Sequence, residues 1–284
     1  RAQALRTKSF PVFQRKMTAP KEILTELAAW QRRHLSEQGP FLILAGPTAV
    51  GKTDLSLELA EALQAEIISA DSRQIYRQMT IGTAKPPREA LQRVRHHFID
   101  ELDLDEPFSA GHFAFAAWER IGEILSRGHV PLVVGGSTLY LYALQFGLAE
   151  IPDVDPRVIR ALEVYHGTGR PITYYHRHHR PSPYTFRTIV LYRDRPVLYE
   201  RINRRVDQML AAGLVEEVRG ILEAGYSPEL DVLRTIGYEE VIGYLQGAYD
   251  RETMRRLIQR NTRRYAKRQL TWFRRFDFEW IKLD

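Results

Sequence analysis

The residues best suited to chemistry form a glycine-rich segment early in the chain. It consists of Gly46, Pro47, Thr48, Ala49, Val50, Gly51, Lys52 and Thr53. This order fits the pattern G-x-x-x-x-G-K-[ST], in which backbone N–H groups and the positive end of a helix surround phosphate oxygens. Lys52 adds a positive charge, and the hydroxyl of Thr53 can ligate Mg²⁺. The segment predicts a site for a diphosphate or triphosphate with Mg²⁺ as cofactor, and it leaves open what happens to the bound group.

The elements that must hold this segment follow from the hydrophobic pattern around it. Residues 41–45 are all apolar and predict a buried parallel strand. After the segment, Leu55, Leu59 and Leu63 lie four residues apart, which predicts a helix over residues 54–64. Further strands are predicted over residues 66–70, 130–134, 188–192 and 278–283. Strands that alternate with helices indicate an α/β fold, here a parallel sheet of the P-loop NTPase type flanked by helices.

The rest of the chain is organised around this core. Helices are predicted over residues 203–212, 214–224, 238–246 and 251–273, so the C-terminal part is mostly helical. The predicted parts are a basic N-terminal arm and helix (1–40), a phosphate-loop core (41–150), a short insertion whose basic and aromatic end suits a solvated or RNA-facing loop (151–187), and a completion of the core with a basic helical part (188–284).

Polar residues follow the ends of several predicted strands. Thr48, Asp71 and Ser137 each come just after a strand, and ligands of parallel sheets bind at the carboxyl ends of strands, so we expect all three in one crevice. A phosphoryl-transfer enzyme normally carries an acid for Mg²⁺ after an apolar strand. Here residues 130–134 run into Gly135 and Gly136 instead, and Asp71 is the acid placed beside the loop. The pattern therefore leaves room for a loop that binds diphosphate as a leaving group.

Composition narrows the class of protein further. The 284 residues have a net charge of +6, which favours a polyanionic partner such as nucleic acid without requiring one. The absence of cysteine excludes disulfides and cysteine-ligated zinc. No apolar run approaches the roughly 20 residues of a membrane span, so we expect no membrane partner. We also expect a cytoplasmic protein and a monomer. Residues 1–21 carry six Lys or Arg and no acid, which leaves open a remnant of an organellar targeting segment.

Six segments stand in a fixed order between residues 41 and 276. They read GPTAVGKT, ISADSRQIYRQMTIGTAKP, PLVVGGSTLY, LYERINRRVDQML, RTIGYEEVIGYL and RRYAKRQLTWFRR. Together they resemble the tRNA dimethylallyltransferases, and the block over residues 71–86 is the most specific. The resemblance implies that a dimethylallyl (isopentenyl) group passes from dimethylallyl diphosphate to N6 of the adenine 3′ of the anticodon, with release of diphosphate. tRNA and dimethylallyl diphosphate are then the partners.

The resemblance also implies roles for individual residues. Asp71 corresponds to a general base that takes the N6 proton, which helps because the lone pair of this amine is delocalised into the adenine ring. Lys52, Thr53 and Arg205 correspond to groups that bind the leaving diphosphate, with Mg²⁺ on Thr53. The neighbouring Arg204 is the alternative to Arg205.

Contacts to tRNA are implied in the same way. The matching positions are Asp71, Ser72, Arg73, Gln74, Ser137, Arg157, Arg160, Arg234, Thr235, Ile236, Gly237, Tyr238 and Glu239. Charge adds a further surface, since residues 251–275 hold ten Lys or Arg and one Glu. Spacings of three and four place one basic face on this predicted helix, made of Arg256, Arg260, Arg263 and Lys267.

One departure and several alternatives accompany this interpretation. The family usually carries a helical insertion after the region of Asp155, whereas here Pro156 runs directly into Arg157, so the insertion is truncated in this sequence. The alternatives are an adenylate isopentenyltransferase that acts on a free nucleotide and a small-molecule kinase of the P-loop type. A non-enzymatic RNA-binding protein is a third. The basic helix argues against a free nucleotide, and Asp71 in its block argues against a protein without catalysis.

Overall fold

A sheet runs through the centre of the fold, and its seven strands in the described residues are all parallel. The structure, a computed structural model, describes residues 14–15, 20–147 and 181–283. Within them the strands are β1 (Gln14–Arg15), β2 (Phe41–Ala45), β3 (Ala65–Ala70), β4 (His96–His97), β5 (Val130–Gly135), β6 (Phe186–Tyr192) and β7 (Glu279–Lys282). They lie in the order β1-β7-β6-β2-β5-β3-β4, which places the strand before the phosphate loop in the middle. The predicted α/β fold with a parallel sheet is confirmed.

Helices cover both faces of this sheet. In the described residues they are α1 (Pro20–His34), α2 (Lys52–Leu63), α3 (Arg88–Arg93), α4 (Ala110–Ser126), α5 (Thr138–Phe146), α6 (Arg195–Ala211), α7 (Leu214–Glu223), α8 (Tyr238–Leu245) and α9 (Arg251–Phe273). The last helix has its predicted limits. In contrast, α6 starts well before the predicted residue 203, because Pro196 in its first turn has a fixed φ and lacks an N–H that would need a partner.

Two hydrophobic cores lie on the two faces of the sheet. Along β2, Phe41 and Ile43 pack into the core that includes residues of α4, α5 and the C-terminal helices. Between them, Leu42 and Leu44 pack into the core with α1 and α2. All four side chains are fully buried, as expected for a parallel strand whose alternate side chains meet helices on opposite faces. Packing on both faces fixes the position of β2, and therefore the position at which the phosphate loop begins.

The strands β2, β3 and β5 end at the same level. Ala45 and Ala70 are each paired with Gly135 in the register of the sheet. A Cβ atom at Gly135 would lie 2.2 Å from the carbonyl oxygen of Ala70, so the close approach of β5 to β3 requires glycine. The loops that follow these three strands therefore start side by side, at the edge of the sheet where ligands bind.

The predicted insertion lies largely outside the described residues. Residues 148–180 are not described, and they hold Arg157 and Arg160, so the tRNA contacts predicted there stay predictions. In the described ranges, no helix combines the length and the apolar character that crossing a membrane requires. The division into four parts, the cytoplasmic location and the monomeric state also stay predictions.

Candidate active site

The phosphate loop joins the end of β2 to the start of α2. Ala49 has a φ of 63° and Gly51 a φ of 106°, both in the left-handed region, and these two residues let the chain turn sharply into the helix. The ammonium of Lys52 donates hydrogen bonds to the carbonyl oxygens of Gly46 and Pro47, each at 2.9 Å. Lys52 therefore holds the loop closed from inside, with its charge at the carboxyl edge of the sheet.

Burial and neighbouring charges set the protonation of Lys52. Burial is the main cause that lowers the pKa of Lys52 to about 8, the nearby guanidinium of Arg205 adds to the decrease, and Asp71 opposes it. Two cations and one carboxylate therefore influence one another at this edge of the sheet. An anion bound beside them would favour the charged form of Lys52, so the arrangement suits a ligand such as diphosphate.

Asp71 follows β3 and is oriented by the turn that it begins. Its Oδ1 accepts hydrogen bonds from the backbone N–H groups of Arg73 at 3.0 Å and Gln74 at 3.4 Å. Among the described residues Oδ2 accepts none, so one oxygen orients the carboxylate and the other remains available. The turn is itself anchored, because Nε2 of Gln74 donates to the carbonyl oxygen of Thr83 at 3.2 Å.

The two adjacent arginines of α6 have different surroundings. Arg205 points toward the loop, where its Nη1 lies 3.4 Å from Oγ1 of Thr48. Burial and the neighbouring Arg201 lower the pKa of Arg205. Arg204 instead has a side chain that is 63% exposed and pairs with Glu200 at 3.0 Å. Arg205 is therefore the residue placed to contact a bound phosphate.

Hydrogen bonds tie the turn after Asp71 to two other segments. Oγ of Ser137 accepts a hydrogen bond from the backbone N–H of Ser72 at 3.0 Å, which links the end of β5 to the turn. Nε of Arg73 donates to Oγ1 of Thr235 at 2.5 Å, which links the turn to the segment before α8. Residues predicted from separate blocks of the sequence thus share direct contacts.

The segment over residues 234–239 divides between the cavity wall and the core. Residues 234–237 line the cavity described below, and Glu239 is exposed. The side chain of Tyr238 is fully buried against Gly82, and its hydroxyl donates to Oε1 of Glu217 at 2.6 Å. Tyr238 therefore supports this segment from inside, since the whole residue is buried, and the tRNA contact that the sequence analysis assigns to it stays a prediction.

One cavity of about 640 Å³ brings most of the predicted residues together. Its walls include residues 48–53, 71–74, 137, 205 and 234–237. Gly46 and Pro47, the first residues of the loop, do not line the cavity, and their carbonyl oxygens accept hydrogen bonds from Lys52. Arg260, Arg263 and Lys267 are not among the lining residues, so the basic face of α9 is separate from the cavity. The convergence of Thr48, Asp71 and Ser137 that the sequence predicts is confirmed.

The cavity also contains residues that the sequence analysis missed. Among them are Arg201, Met209, Thr262, Tyr265, Arg268 and Gln269. The sequence did carry a signal for α9, since Ile258, Thr262, Tyr265 and Gln269 have spacings of four, three and four and therefore share one face of the helix. Burial raises the pKa of Tyr265 to about 12, so its hydroxyl keeps its proton and can donate a hydrogen bond into the cavity.

The basic face of α9 is mostly open to solvent. Arg256, Arg260 and Lys267 are exposed, whereas Arg263 is partly buried and donates from Nη1 to Oδ1 of Asn203 at 2.6 Å. Within the described part of the chain, neither Arg260 nor Lys267 forms an ion pair with a carboxylate. Their charges are therefore open to an external phosphate.

Thr53 supplies a hydroxyl oxygen that could ligate magnesium, and the carboxylate of Asp71 lines the same cavity. Both residues line the main cavity and also a smaller adjoining cavity of about 60 Å³. Over the described ranges there is no group of three or more His, Cys, Asp or Glu that could hold a metal. Mg²⁺ is often bound through one or two protein oxygens together with phosphate oxygens of the substrate. The donor set therefore fits a magnesium ion that is held jointly with a diphosphate.

The fold and the cavity define a phosphate-loop protein of the α/β class. Comparison with known proteins identifies the family. The model of the IPP transferase family matches residues 74–158 and 153–276, and the two matches meet where the sequence predicts a truncated insertion. The chain therefore belongs to the IPP transferase family, as its sequence predicts.

The chain is also similar to individual proteins whose names agree with this family. The tRNA dimethylallyltransferase of Salinibacter ruber is 52% identical, over 85% of this chain and 87% of that protein. The crystal structure of the full-length tRNA isopentenylpyrophosphate transferase of Bacillus halodurans is similar with a TM-score of 0.71 and 38% identity, over 86% of this chain and 90% of that one. A eukaryotic dimethylallyltransferase acting on tRNA has a TM-score of 0.72 and 26% identity, over 85% of this chain and 73% of that one.

Proposed function

We propose that this protein transfers a dimethylallyl group from dimethylallyl diphosphate to N6 of the adenine 3′ of the anticodon in tRNA and releases diphosphate. The observation that carries the proposal is the single cavity in which a phosphate loop faces Asp71. A group that binds diphosphate and a group that accepts a proton are the two functions that this transfer needs. The volume of about 640 Å³ suits a flipped base together with a small allylic group.

The carboxylate of Asp71 acts on the nucleophile. The bond from N6 to C1 of the allyl group forms, the bond from C1 to the diphosphate oxygen breaks, and the N6 proton passes to Asp71. Its Oδ1 is held by two backbone N–H groups, which leaves Oδ2 as the oxygen that accepts the proton. A positioned base of this kind typically contributes about 10²–10⁴-fold to the rate.

The phosphate loop acts on the leaving group. Negative charge grows on the diphosphate oxygens as the C1–O bond breaks, and donors that are already in position stabilise this charge without reorganising. Lys52 and Arg205 provide two such donors beside the loop. Thr53 would hold Mg²⁺ against the same oxygens, where the ion would neutralise part of the developing charge, and Asp71 stays free to act as the base.

The walls of the cavity contact the RNA. The target adenine must leave its stack to reach Asp71, which is the usual requirement for chemistry on a base in a folded RNA. Residues 72–74, 137 and 234–237 line the path around Asp71, and Arg260 and Lys267 lie outside it on α9. The cavity residues therefore contact the flipped base and its neighbours, while the basic face meets the phosphate backbone.

The test is incubation with labelled dimethylallyl diphosphate and unmodified tRNA, followed by nucleoside analysis. We expect label on N6 of the adenine 3′ of the anticodon, and no label on free AMP offered in place of tRNA. Efficient labelling of AMP would indicate an adenylate isopentenyltransferase. Consumption of ATP with phosphoryl transfer, and no labelled nucleoside, would indicate a kinase. Binding of tRNA without either reaction would leave only an RNA-binding role.

A further inference from the structure

Gln269 connects α9 to the phosphate loop. Its Oε1 accepts a hydrogen bond from the backbone N–H of Thr48 at 3.1 Å, and its Nε2 donates to the carbonyl oxygen of Gly136 at 2.8 Å. The residue is 3% exposed, so these hydrogen bonds are shielded from water. One side-chain amide thus joins the phosphate loop, the turn after β5 and the last long helix.

The side-chain amide of Gln269 is closely packed against Gly136. A Cβ atom added at Gly136 would lie 2.6 Å from Nε2 of Gln269 and 2.9 Å from the carbonyl oxygen of Gly46. It would also lie 3.6 Å from Nζ of Lys52. The amide therefore sits in a narrow gap between the phosphate loop and the turn after β5, in hydrogen-bond contact with both.

The hydrogen bond to Thr48 determines which loop groups remain for a ligand. Because the N–H of Thr48 is already used by Gln269, it is not available to a phosphate oxygen, while the hydroxyl of the same residue lies beside Arg205. The ligand must then be met by the later part of the loop, which leads into α2. Gln269 therefore holds the start of the loop in place and keeps the N–H of Thr48 away from a bound ligand.

We infer that Gln269 is a positioning residue, which holds the phosphate loop from the helix that carries the basic face, in the shape that receives diphosphate. The inference rests on the proposed function, in which that loop binds the leaving group. The helix that carries Arg260 and Lys267 also sets the geometry of the diphosphate site through one buried amide.

The experiment compares Gln269→Met with a matched control, Gln259→Met. Gln259 lies on the same helix, is 8% exposed and donates from Nε2 to Oδ1 of Asp207 at 3.1 Å, but it is not among the residues that line the cavity. Methionine has nearly the volume of glutamine and cannot replace either hydrogen bond. The probe is inorganic diphosphate with Mg²⁺, titrated calorimetrically into the full chain without tRNA. tRNA affinity and thermal stability are measured in parallel.

For Gln269→Met we expect about tenfold weaker binding of diphosphate, the loss that corresponds to one or two buried hydrogen bonds that shape the loop. The affinity for tRNA should stay within about twofold. Gln259→Met should lose similar thermal stability and bind diphosphate like the wild type.

Three results would overturn the inference. In the first, Gln269→Met binds diphosphate within twofold of the wild type while its thermal stability falls as in the control, so that Gln269 is structural only. In the second, Gln259→Met weakens diphosphate binding as much as Gln269→Met does. In the third, the wild type binds no diphosphate at all, and the proposed function then fails with the inference.

Discussion

The two adjacent arginines of α6 provide a matched test of how the leaving group is stabilised. Arg205 lines the cavity with Nη1 3.4 Å from Oγ1 of Thr48, whereas the side chain of Arg204 is 63% exposed and pairs with Glu200. The substitutions Arg205→Ala and Arg204→Ala remove the same group from neighbouring positions. Any difference between them reflects the cavity and not the loss of an arginine as such.

The expected loss of transfer rate in each variant follows from the position of the arginine that is removed. Removing one preorganised donor from a developing oxyanion costs about 2.7–4 kcal/mol, so Arg205→Ala should lower the rate constant of transfer by about 10²–10³-fold. Removing an exposed ion pair with spacing i,i+4 costs about 0.3–0.5 kcal/mol of stability, so Arg204→Ala should leave the rate within about twofold. Arg205 also lowers the pKa of Lys52, so Arg205→Ala should raise that pKa above its present value of about 8.

The assay is single-turnover transfer from labelled dimethylallyl diphosphate at saturating tRNA, with tRNA affinity measured separately. We expect the affinity for tRNA to remain close to that of the wild type in both variants. The reasoning would be refuted if Arg205→Ala kept its rate within threefold of the wild type. It would also be refuted if Arg204→Ala lost as much rate as Arg205→Ala, or if Arg205→Ala weakened tRNA binding without changing the rate at saturation.

Three further predictions concern the base, the loop lysine and the basic helix. Asp71→Asn should lower the single-turnover rate by about 10²–10⁴-fold with tRNA binding retained, and a rate within threefold of the wild type would exclude Asp71 as the base. Because a bound anion favours the charged form of Lys52, whose pKa is lowered to about 8, binding of dimethylallyl diphosphate without tRNA should weaken as pH rises above about 8, by up to tenfold per pH unit. Lys52→Arg, which stays charged, should flatten this profile, and a flat wild-type profile up to about pH 9.5 would contradict the assignment. Neutralising Arg260 and Lys267 together should reduce the slope of log K against log salt by up to about 1.8 for duplex contacts or about 1.4 for single-stranded ones, whereas an unchanged slope in a folded double variant would mean that this face meets no phosphates.

Several local features of this protein can be predicted correctly from its sequence. The phosphate loop has a fixed pattern because each glycine and the lysine meet a local geometric need, and Gly51 does adopt the left-handed backbone before α2. The last helix has its predicted limits because its pattern repeats at the helical period over its whole length. The convergence of Asp71 and Ser137 could be predicted as well, since parallel strands place their carboxyl ends together. All of these depend on neighbours in sequence or on a general rule of topology.

Contacts between distant segments were decided only by the tertiary structure. Gln269 and Thr48 are separated by 221 positions, and no local pattern assigns the side-chain amide of one to the N–H of the other. The resemblance favoured Arg205 over Arg204, but both suit a helix, and only the rotation of α6 against the loop directs Arg205 into the cavity. Tyr238 stands in a block that resembles a tRNA contact, yet packing against Gly82 buries its ring. Periodicity determines which residues share a face of an element, while the packing of elements against one another determines what that face meets.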